Sequence, residues 1–187
     1  MFLEKILFLL FKLGEMWYNK LYKNERKNTM LKEILKGKDC AECRVCCVFD
    51  KTDCWEVPLV EAELAAYIGE NYPDVKLKKT GNCSVFDSEF DEKGLTTCPM
   101  LSETGCKLGD KKPFDCRIWP FRVMRKENLL LLTLSPVCGT VSKLPVEQIS
   151  AFAAKIADTI YKAAEDNPEM IKDYIDGYPI FAVRKEK

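Results

Sequence analysis

The sequence contains no histidine among its 187 residues. A Ser-His-Asp or Cys-His catalytic arrangement therefore cannot be built within this chain. The same absence excludes a Cys2His2 zinc finger and a catalytic zinc ion held by histidine. General acid–base chemistry would have to use Asp, Glu, Lys, Tyr or Cys.

The sequence also lacks an excess of charge, because 29 basic residues balance 29 acidic ones. Nucleic-acid-binding chains are usually basic, so we expect no nucleic-acid partner. No long apolar run is present at the N-terminus: the uninterrupted run Ile6–Phe11 is far shorter than the roughly 20 residues of a spanning helix. Because Glu4 precedes this run and no small-residue cleavage site follows it, we expect no signal peptide and a cytoplasmic location.

Ten cysteines contrast with these absences. In a reducing compartment, clustered cysteines are more often metal ligands or redox groups than disulfide partners. All ten lie between residues 39 and 140, so we expect a cysteine-cluster metal-binding domain over residues 39–187, with a helical C-terminal tail. The sequence thus predicts that cysteines, rather than carboxylates, hold a metal ion or cluster.

Residues 1–38 form a separate basic segment without cysteine, in which apolar side chains such as Phe2, Ile6 and Leu13 recur at helical spacing. We expect an amphipathic helix here. Three interpretations of it remain open: a helix packed on the domain, a helix at a membrane surface through residues 1–21, and a partner interface. The second would make the protein peripheral to a membrane.

The fold class predicted is α+β: a small cysteine-rich, metal-centred domain with short β-hairpins, flanked by N- and C-terminal helices. Residues 54–57 are compatible with a short strand, and Pro58 suits the first turn of a helix to about Asn71. Residues 83–98 predict a loose hairpin about Asp91–Gly94. Residues 121–125 and 129–134 predict a second hairpin whose second strand is buried.

The C-terminal tail predicts an amphipathic helix over Val146–Ala164. Asn167-Pro168 should interrupt it, and a shorter helix should follow to about Ile175. Residues 180–183 predict a final strand.

The strongest motif is Cys40-Ala-Glu-Cys43-Arg-Val-Cys46-Cys47, which has the spacing CxxCxxCC. Two intervening residues let cysteines direct their sulfurs at one centre, as in zinc knuckles and iron–sulfur proteins. Adjacent side chains diverge, so Cys46 and Cys47 indicate either a bulky cluster or two centres that share this segment. Redox-active thiols and disulfides are the alternatives to metal.

A second group of candidate ligands is Cys98, Cys106 and Cys116. Gly105 and Gly109 permit tight turns around a small centre. Arg117 directly follows Cys116, and its guanidinium can offset the negative charge of a thiolate-ligated cofactor and donate hydrogen bonds to sulfur. An ordinary surface ion pair is the alternative role of Arg117.

The remaining cysteines are more isolated. Cys138 follows an apolar strand and precedes Gly139, so a turn can return it to a distant site. Cys54, beside Trp55, is equally compatible with a ligand and with a buried thiol. We expect Cys83 to lie outside the metal site, although the sequence does not exclude it as a ligand.

These residues resemble the YkgJ-type cysteine-cluster family, which is described as a zinc- or iron-chelating domain. The resemblance covers about residues 39–140. It comprises the CxxCxxCC motif, Cys98, Cys106, the segment Pro113-Phe-Asp-Cys116-Arg117-Ile-Trp-Pro120, and Cys138-Gly139. Lys112 departs from it, since the family often has arginine there. The resemblance implies a cysteine-coordinated metal, commonly assigned as iron–sulfur, and eight of the ten cysteines match.

We expect an iron–sulfur cluster, with 4Fe–4S favoured, or zinc, because thiolates suit both. A redox or electron-transfer protein with a redox protein partner is the first functional class. A zinc-stabilised structural or interaction module is the second. Metal delivery or storage is a third class, which predicts exchangeable metal. The resemblance also leaves a cluster-dependent enzyme open, because a flagellin lysine methylase has a similar cysteine cluster, although no S-adenosylmethionine signature is present here.

Overall fold

The computed structural model describes residues 31–51 and 57–186. Most of the helix expected over residues 1–38 lies outside these ranges, as do Cys54 and nearly all of the strand expected at 54–57. The described helices are α1 (Gly37–Cys43), α2 (Ala62–Asn71), α3 (Phe114–Ile118) and α4 (Val146–Asp166). The described strands are β1 (Val48–Asp50), β2 (Leu77–Thr80), β3 (Cys83–Phe86), β4 (Leu95–Thr97), β5 (Leu101–Ser102), β6 (Gly105–Cys106), β7 (Phe121–Lys126), β8 (Leu129–Leu134), β9 (Lys172–Asp173) and β10 (Ile180–Lys185). The expected α+β class, with short and mainly antiparallel sheets, is confirmed.

The central sheet has the order β10-β8-β7-β9 in the described part of the chain. β7 and β8 form the predicted hairpin, in register from Phe121↔Leu134 to Lys126↔Leu129. Glu127 closes the turn in the left-handed region, at φ 56°. The expected burial of β8 is also confirmed, because its apolar residues lie at the centre of the sheet.

α4 packs on this sheet and extends two residues beyond the predicted Val146–Ala164. Its apolar positions repeat every three or four residues, which directs them to one side of the helix. With β7 and β8 they form the main core, whose buried members include Phe121, Leu132, Val141, Phe152 and Ile160. The final strand expected at 180–183 is confirmed as β10, which pairs with β8.

The prediction of a shorter helix from Pro168 to about Ile175 is wrong. Only a 3-10 turn, Pro168–Met170, follows α4, and β9 then pairs in parallel with Met124 and Arg125. The edge of β7 offers backbone hydrogen bonds that an isolated short helix would lack, so residues 172–173 join the sheet instead.

A second core lies under α2 and the β2–β3 hairpin, and contains Val60, Ile68, Phe86, Met100 and Leu108. The hairpin expected over 83–98 is wrong in its pairing. β3 turns back through Gly81 (φ 54°) to pair with β2, whereas β4 pairs with β1. The turn at 91–94 does exist, because Asp91 Oδ1 accepts hydrogen bonds from the amides of Lys93 and Leu95.

The helix predicted from Pro58 begins later, at Ala62. Residues 58–60 are extended instead, because Val60 forms a β-bridge with Ser84. Leu59 donates its amide hydrogen to Asp115, so its partner comes from a distant part of the chain. No described helix is both long and apolar enough to cross a membrane.

Candidate metal centre

The CxxCxxCC segment is a short helix followed by a reversal. Asp39 Oδ2 accepts the amide hydrogen of Lys36 at 3.1 Å and caps the start of α1. α1 ends at Cys43, since Arg44 adopts the left-handed conformation at φ 56°. A 3-10 turn, Val45–Cys47, then follows. The reversal places Cys40 and Cys43 on α1 and Cys46 and Cys47 on the turn that follows it.

The Arg44 side chain links the chain reversal after α1 to the β5–β6 hairpin by a hydrogen bond. Its Nη2 donates to the carbonyl of Glu103 at 2.6 Å, and its Nε donates to the carbonyl of Ala41 at 2.9 Å. The guanidinium thereby joins the CxxCxxCC segment to the segment that carries Cys106. Sequence analysis missed this role, because only the tertiary structure brings the Glu103 carbonyl within reach.

Backbone pairing places Cys47 beside Cys98. The Cys98 amide donates to the Cys47 carbonyl at 2.7 Å, which extends the β1–β4 ladder by one bond. Cys106 pairs with Leu101 in the β5–β6 hairpin, where Gly105 supplies a φ of 115°. Cys47 and Cys98, about 50 residues apart in sequence, are thus brought together by the β1–β4 ladder, and the β5–β6 hairpin carries Cys106.

α3 presents Cys116 and is held at its first turn by two carboxylates. Glu61 Oε1 accepts the amide hydrogen of Phe114 at 3.1 Å. Asp115 Oδ2 accepts the amide hydrogen of Leu59 at 3.0 Å. Neither carboxylate was singled out from the sequence, although acidic residues near a helix N-terminus are a recognisable signal.

Six of the described cysteines line one cavity of about 410 Å³, which we call the large cavity: Cys40, Cys46, Cys47, Cys98, Cys106 and Cys116. A neighbouring cavity of about 20 Å³, the small cavity, is lined by Cys40, Cys43, Cys46 and Cys138. Eight of the cysteines expected to be metal ligands therefore border one or both cavities. That they hold a metal ion or cluster stays a prediction of the sequence analysis.

A hydrogen bond between adjacent thiols distinguishes Cys46 from Cys47. Cys46 donates to Cys47, which raises the pKa of Cys46 above its usual value and lowers the pKa of Cys47 to about 7. The nearby charges of Lys112 and Arg44 lower the pKa of Cys47 further. Cys47 is therefore the thiol best prepared to bind metal as a thiolate near neutral pH.

Burial raises the pKa of the other large-cavity thiols. It raises the pKa of Cys98 to about 12, and raises the pKa of Cys116 well above its usual value. It also raises the pKa of Cys40 and Cys106, which Lys112 partly counteracts. Lys112 is therefore the cation shared by several thiols, a role that the sequence did not reveal.

Arg117, the predicted cofactor-binding residue, also lines the large cavity. Its Cζ lies 5.2 Å from the ring centroid of Phe114. Its Nε is buried and has no hydrogen-bond partner among the described residues. A buried donor without a partner is costly, so this atom favours an acceptor in the cavity.

The isolated cysteines differ in position. Cys138 follows β8, and its carbonyl accepts a hydrogen bond from the Ser142 amide at 3.0 Å. Cys83 is buried at 2% exposure against Leu59 and Met170, and borders neither cavity. Cys54 lies outside the described residues.

The described cysteines are free thiols. In residues 31–51 and 57–186, no three Cys, Asp or Glu side chains converge closely enough to hold a metal ion. The arrangement is a set of thiols around two cavities rather than a closed coordination sphere.

Searches of family models, curated proteins and solved structures give no match to this chain.

Proposed function

We propose that the protein is a YkgJ-type cysteine-cluster protein that binds an iron–sulfur cluster through its thiols and uses it in electron transfer. The observation that carries this proposal is the large cavity, because six cysteines from three separate parts of the chain border it. Thiolates are the ligands that iron–sulfur clusters use in proteins. Such a concentration of thiols around one cavity has little value for packing alone.

The chemistry of the cavity fits a thiolate-ligated group. Cys47, Cys98, Cys106 and Cys116 border the large cavity alone and would hold the group there. Arg117 Nε supplies a buried donor without a partner among the described residues, which suits a negatively charged acceptor. Lys112 adds a positive charge on the same wall.

Cations around such a group control how easily it accepts an electron. When bound, an iron–sulfur cluster supplies one-electron redox chemistry. Lys112 and Arg117 offset negative charge, which stabilises the reduced form over the oxidised form. Cys43 and Cys46 are exposed, so the cysteine-rich region reaches the protein surface, where a redox partner can bind.

A zinc-stabilised module is the second candidate function. It is favoured by the small cavity, whose volume of about 20 Å³ suits a single ion between cysteines. In that case the metal stabilises the fold without changing oxidation state.

The test is anaerobic purification of the full chain, followed by iron, zinc and acid-labile sulfide analysis. The proposed function predicts brown protein with broad visible absorbance that changes reversibly on addition of dithionite. Cys98→Ser should remove this absorbance, whereas Cys83→Ala, which alters a cysteine bordering neither cavity, should retain it. Colourless protein with stoichiometric zinc would overturn the electron-transfer proposal and favour the module.

A further inference from the structure

We infer that the large cavity is also the binding site of an organic anion, a small carboxylate with an apolar body. Three features of the cavity support this inference: its volume, its apolar wall and the basic side chains that line it. The inference goes beyond the proposed function, because all three features belong to the chain itself and none requires a metal. Binding of the organic ligand and binding of metal can therefore be tested separately.

The size of the large cavity fits a small organic molecule. Its volume of about 410 Å³ lies within the range of roughly 300–1,000 Å³ that is usual for such sites. In residues 31–51 and 57–186, no three Cys, Asp or Glu side chains converge closely enough to hold an ion, so the wall is not contracted around one. The space between the side chains thus suits a molecule better than a single ion.

Apart from its six cysteines, the wall of the large cavity is formed mainly by apolar side chains. The bulky ones include Phe49, Phe86, Met100, Leu108 and Trp119. Each of these five residues is at most 7% exposed, and Phe86, Met100 and Leu108 belong to the second core. Because packed side chains hold a preformed surface, an apolar ligand leaves water here without first reorganising the protein.

The charged residues of the wall favour an anion. Basic residues outnumber acidic ones among the lining residues: Lys32, Lys112, Arg117 and Arg122 against Asp110 and Asp115. Asp115 lies 3.9 Å from Arg122, so one of the two acidic side chains is already paired with a basic one. The excess of positive charge attracts an anionic ligand and disfavours a cationic one.

Arg117 is the residue that we expect to bind the carboxylate. Its Nε is buried and has no hydrogen-bond partner in the described part of the chain. The Phe114 ring, with its centroid 5.2 Å from Arg117 Cζ, supports the guanidinium from one side. A guanidinium binds a carboxylate through two parallel hydrogen bonds, and its five N–H donors leave others for a neighbouring acceptor such as a cluster.

The first test uses the wild-type full chain and three probe ligands in isothermal titration calorimetry. Octanoate should bind at one site per chain. Butyrate has the same carboxylate but four fewer methylenes, and it should bind at least about 100-fold more weakly, because each buried methylene strengthens binding about fourfold. The neutral 1-octanol should bind about 10-fold more weakly than octanoate, because it lacks the charge. Absence of octanoate binding, or equal affinities for octanoate and 1-octanol, would overturn the inference.

The second test substitutes the guanidinium. Arg117→Gln should weaken octanoate binding by about 10-fold or more and leave 1-octanol binding unchanged, because only the carboxylate uses the charge. Arg117→Lys should cause a smaller loss, since it retains the charge without the planar fork. Arg125→Gln is the matched control: Arg125 is 39% exposed, pairs with Glu186 and does not border the large cavity.

Equal octanoate affinities of Arg117→Gln and Arg125→Gln would show that Arg117 does not bind the carboxylate and would overturn the inference. If Arg117→Gln does not fold by far-UV circular dichroism, the ligand series on the wild-type chain decides, because it requires no substitution.

Iron, zinc and acid-labile sulfide measured on the same samples separate this inference from the proposed function. Brown protein that does not bind octanoate would overturn the inference alone. Protein that binds octanoate but contains no metal after anaerobic purification would support the inference and overturn the proposed function alone.

Discussion

Asp115 Oδ2 lies 3.9 Å from Arg122 Nη1, and the two side chains are only 5% and 4% exposed. The same carboxylate oxygen accepts the amide hydrogen of Leu59 at 3.0 Å. Arg122 lies in β7, and its Cζ is 4.8 Å from the ring centroid of Trp119. Because Asp115 directly precedes Cys116, this ion pair fixes a candidate ligand relative to the central sheet.

We predict that Asp115→Ala lowers the free energy of unfolding by about 3–5 kcal/mol, because it leaves the Arg122 guanidinium buried without this counter-charge. Urea denaturation of the full chain, followed by circular dichroism, measures the change. The control is Glu42→Gln, which removes an exposed partner of Lys38 in an i,i+4 pair and should cost less than about 1 kcal/mol. Equal effects of the two substitutions would contradict the role assigned to the buried pair.

Lys112 should control metal affinity through charge. It lowers the pKa of Cys40, Cys47 and Cys106, so Lys112→Gln should favour their protonated forms and weaken metal binding by about 10-fold at pH 7. Competition with a coloured zinc chelator measures the affinity.

Lys112→Arg retains the charge and should therefore retain most of the affinity. Lys38→Gln is the matched control, since Lys38 is 82% exposed and paired with Glu42 on α1. If Lys112→Arg weakens binding as much as Lys112→Gln, side-chain shape rather than charge is responsible.

Metal binding should strengthen as pH rises. Burial raises the pKa of Cys98 to about 12 and that of Cys116 well above its usual value, so these thiols are protonated at neutral pH and must release protons to a metal. Cys47, with a pKa of about 7, adds a further loss of affinity below neutrality. Each thiol protonated in the free protein contributes about one logarithmic unit of apparent affinity per pH unit.

Zinc titrations between pH 6 and 9, with proton release recorded in a weak buffer, measure this dependence. Cys83→Ala should give the same curve, because Cys83 borders neither cavity. A pH-independent affinity would show that these thiols do not bind the metal.

Gly81 allows the β2–β3 turn to approach the end of α4 closely. A Cβ atom there would lie 2.5 Å from Glu169 Oε1, which accepts the amide hydrogen of Asn82 at 3.1 Å. Gly81 also has φ of 54°. We predict that Gly81→Ala lowers the free energy of unfolding by about 1–3 kcal/mol, measured in urea.

Adding Glu169→Ala should recover part of this loss, because it removes the steric clash but not the backbone strain. Gly69→Ala is the matched control: it lies in α2 with no atom within 4 Å of the added Cβ, and should stabilise by up to about 1 kcal/mol. If Gly81→Ala leaves the free energy of unfolding unchanged, the close approach of Gly81 to Glu169 is contradicted.

The sequence pattern correctly predicted those helices and strands whose signals lie within their own residues. The β7–β8 hairpin needs only two apolar runs and a short turn, and α4 needs only a helical repeat of apolar residues. The hairpin expected over 83–98 was wrong because Cys83–Phe86 pairs with Leu77–Thr80, and Leu95–Thr97 pairs with Val48–Asp50. The two-residue turn Gly81-Asn82 between β2 and β3 is a local hairpin signal that the sequence analysis missed. The pairing of β4 with β1 is different, because it joins segments more than 40 residues apart and residue spacing does not encode it.

The sequence by itself determined which side-chain chemistry is available to this protein: histidine is absent, so no imidazole can act as a base or a metal ligand, and the CxxCxxCC motif with the later cysteines predicts thiolates as the ligands of a metal. Only the tertiary structure decided which thiols face which cavity, because Cys47 and Cys98 meet through a backbone hydrogen bond and Cys40 and Cys138 pack on the main core. It also brought Lys112 among the thiols and Asp115 to Arg122, since charges distant in sequence interact only after the chain has folded.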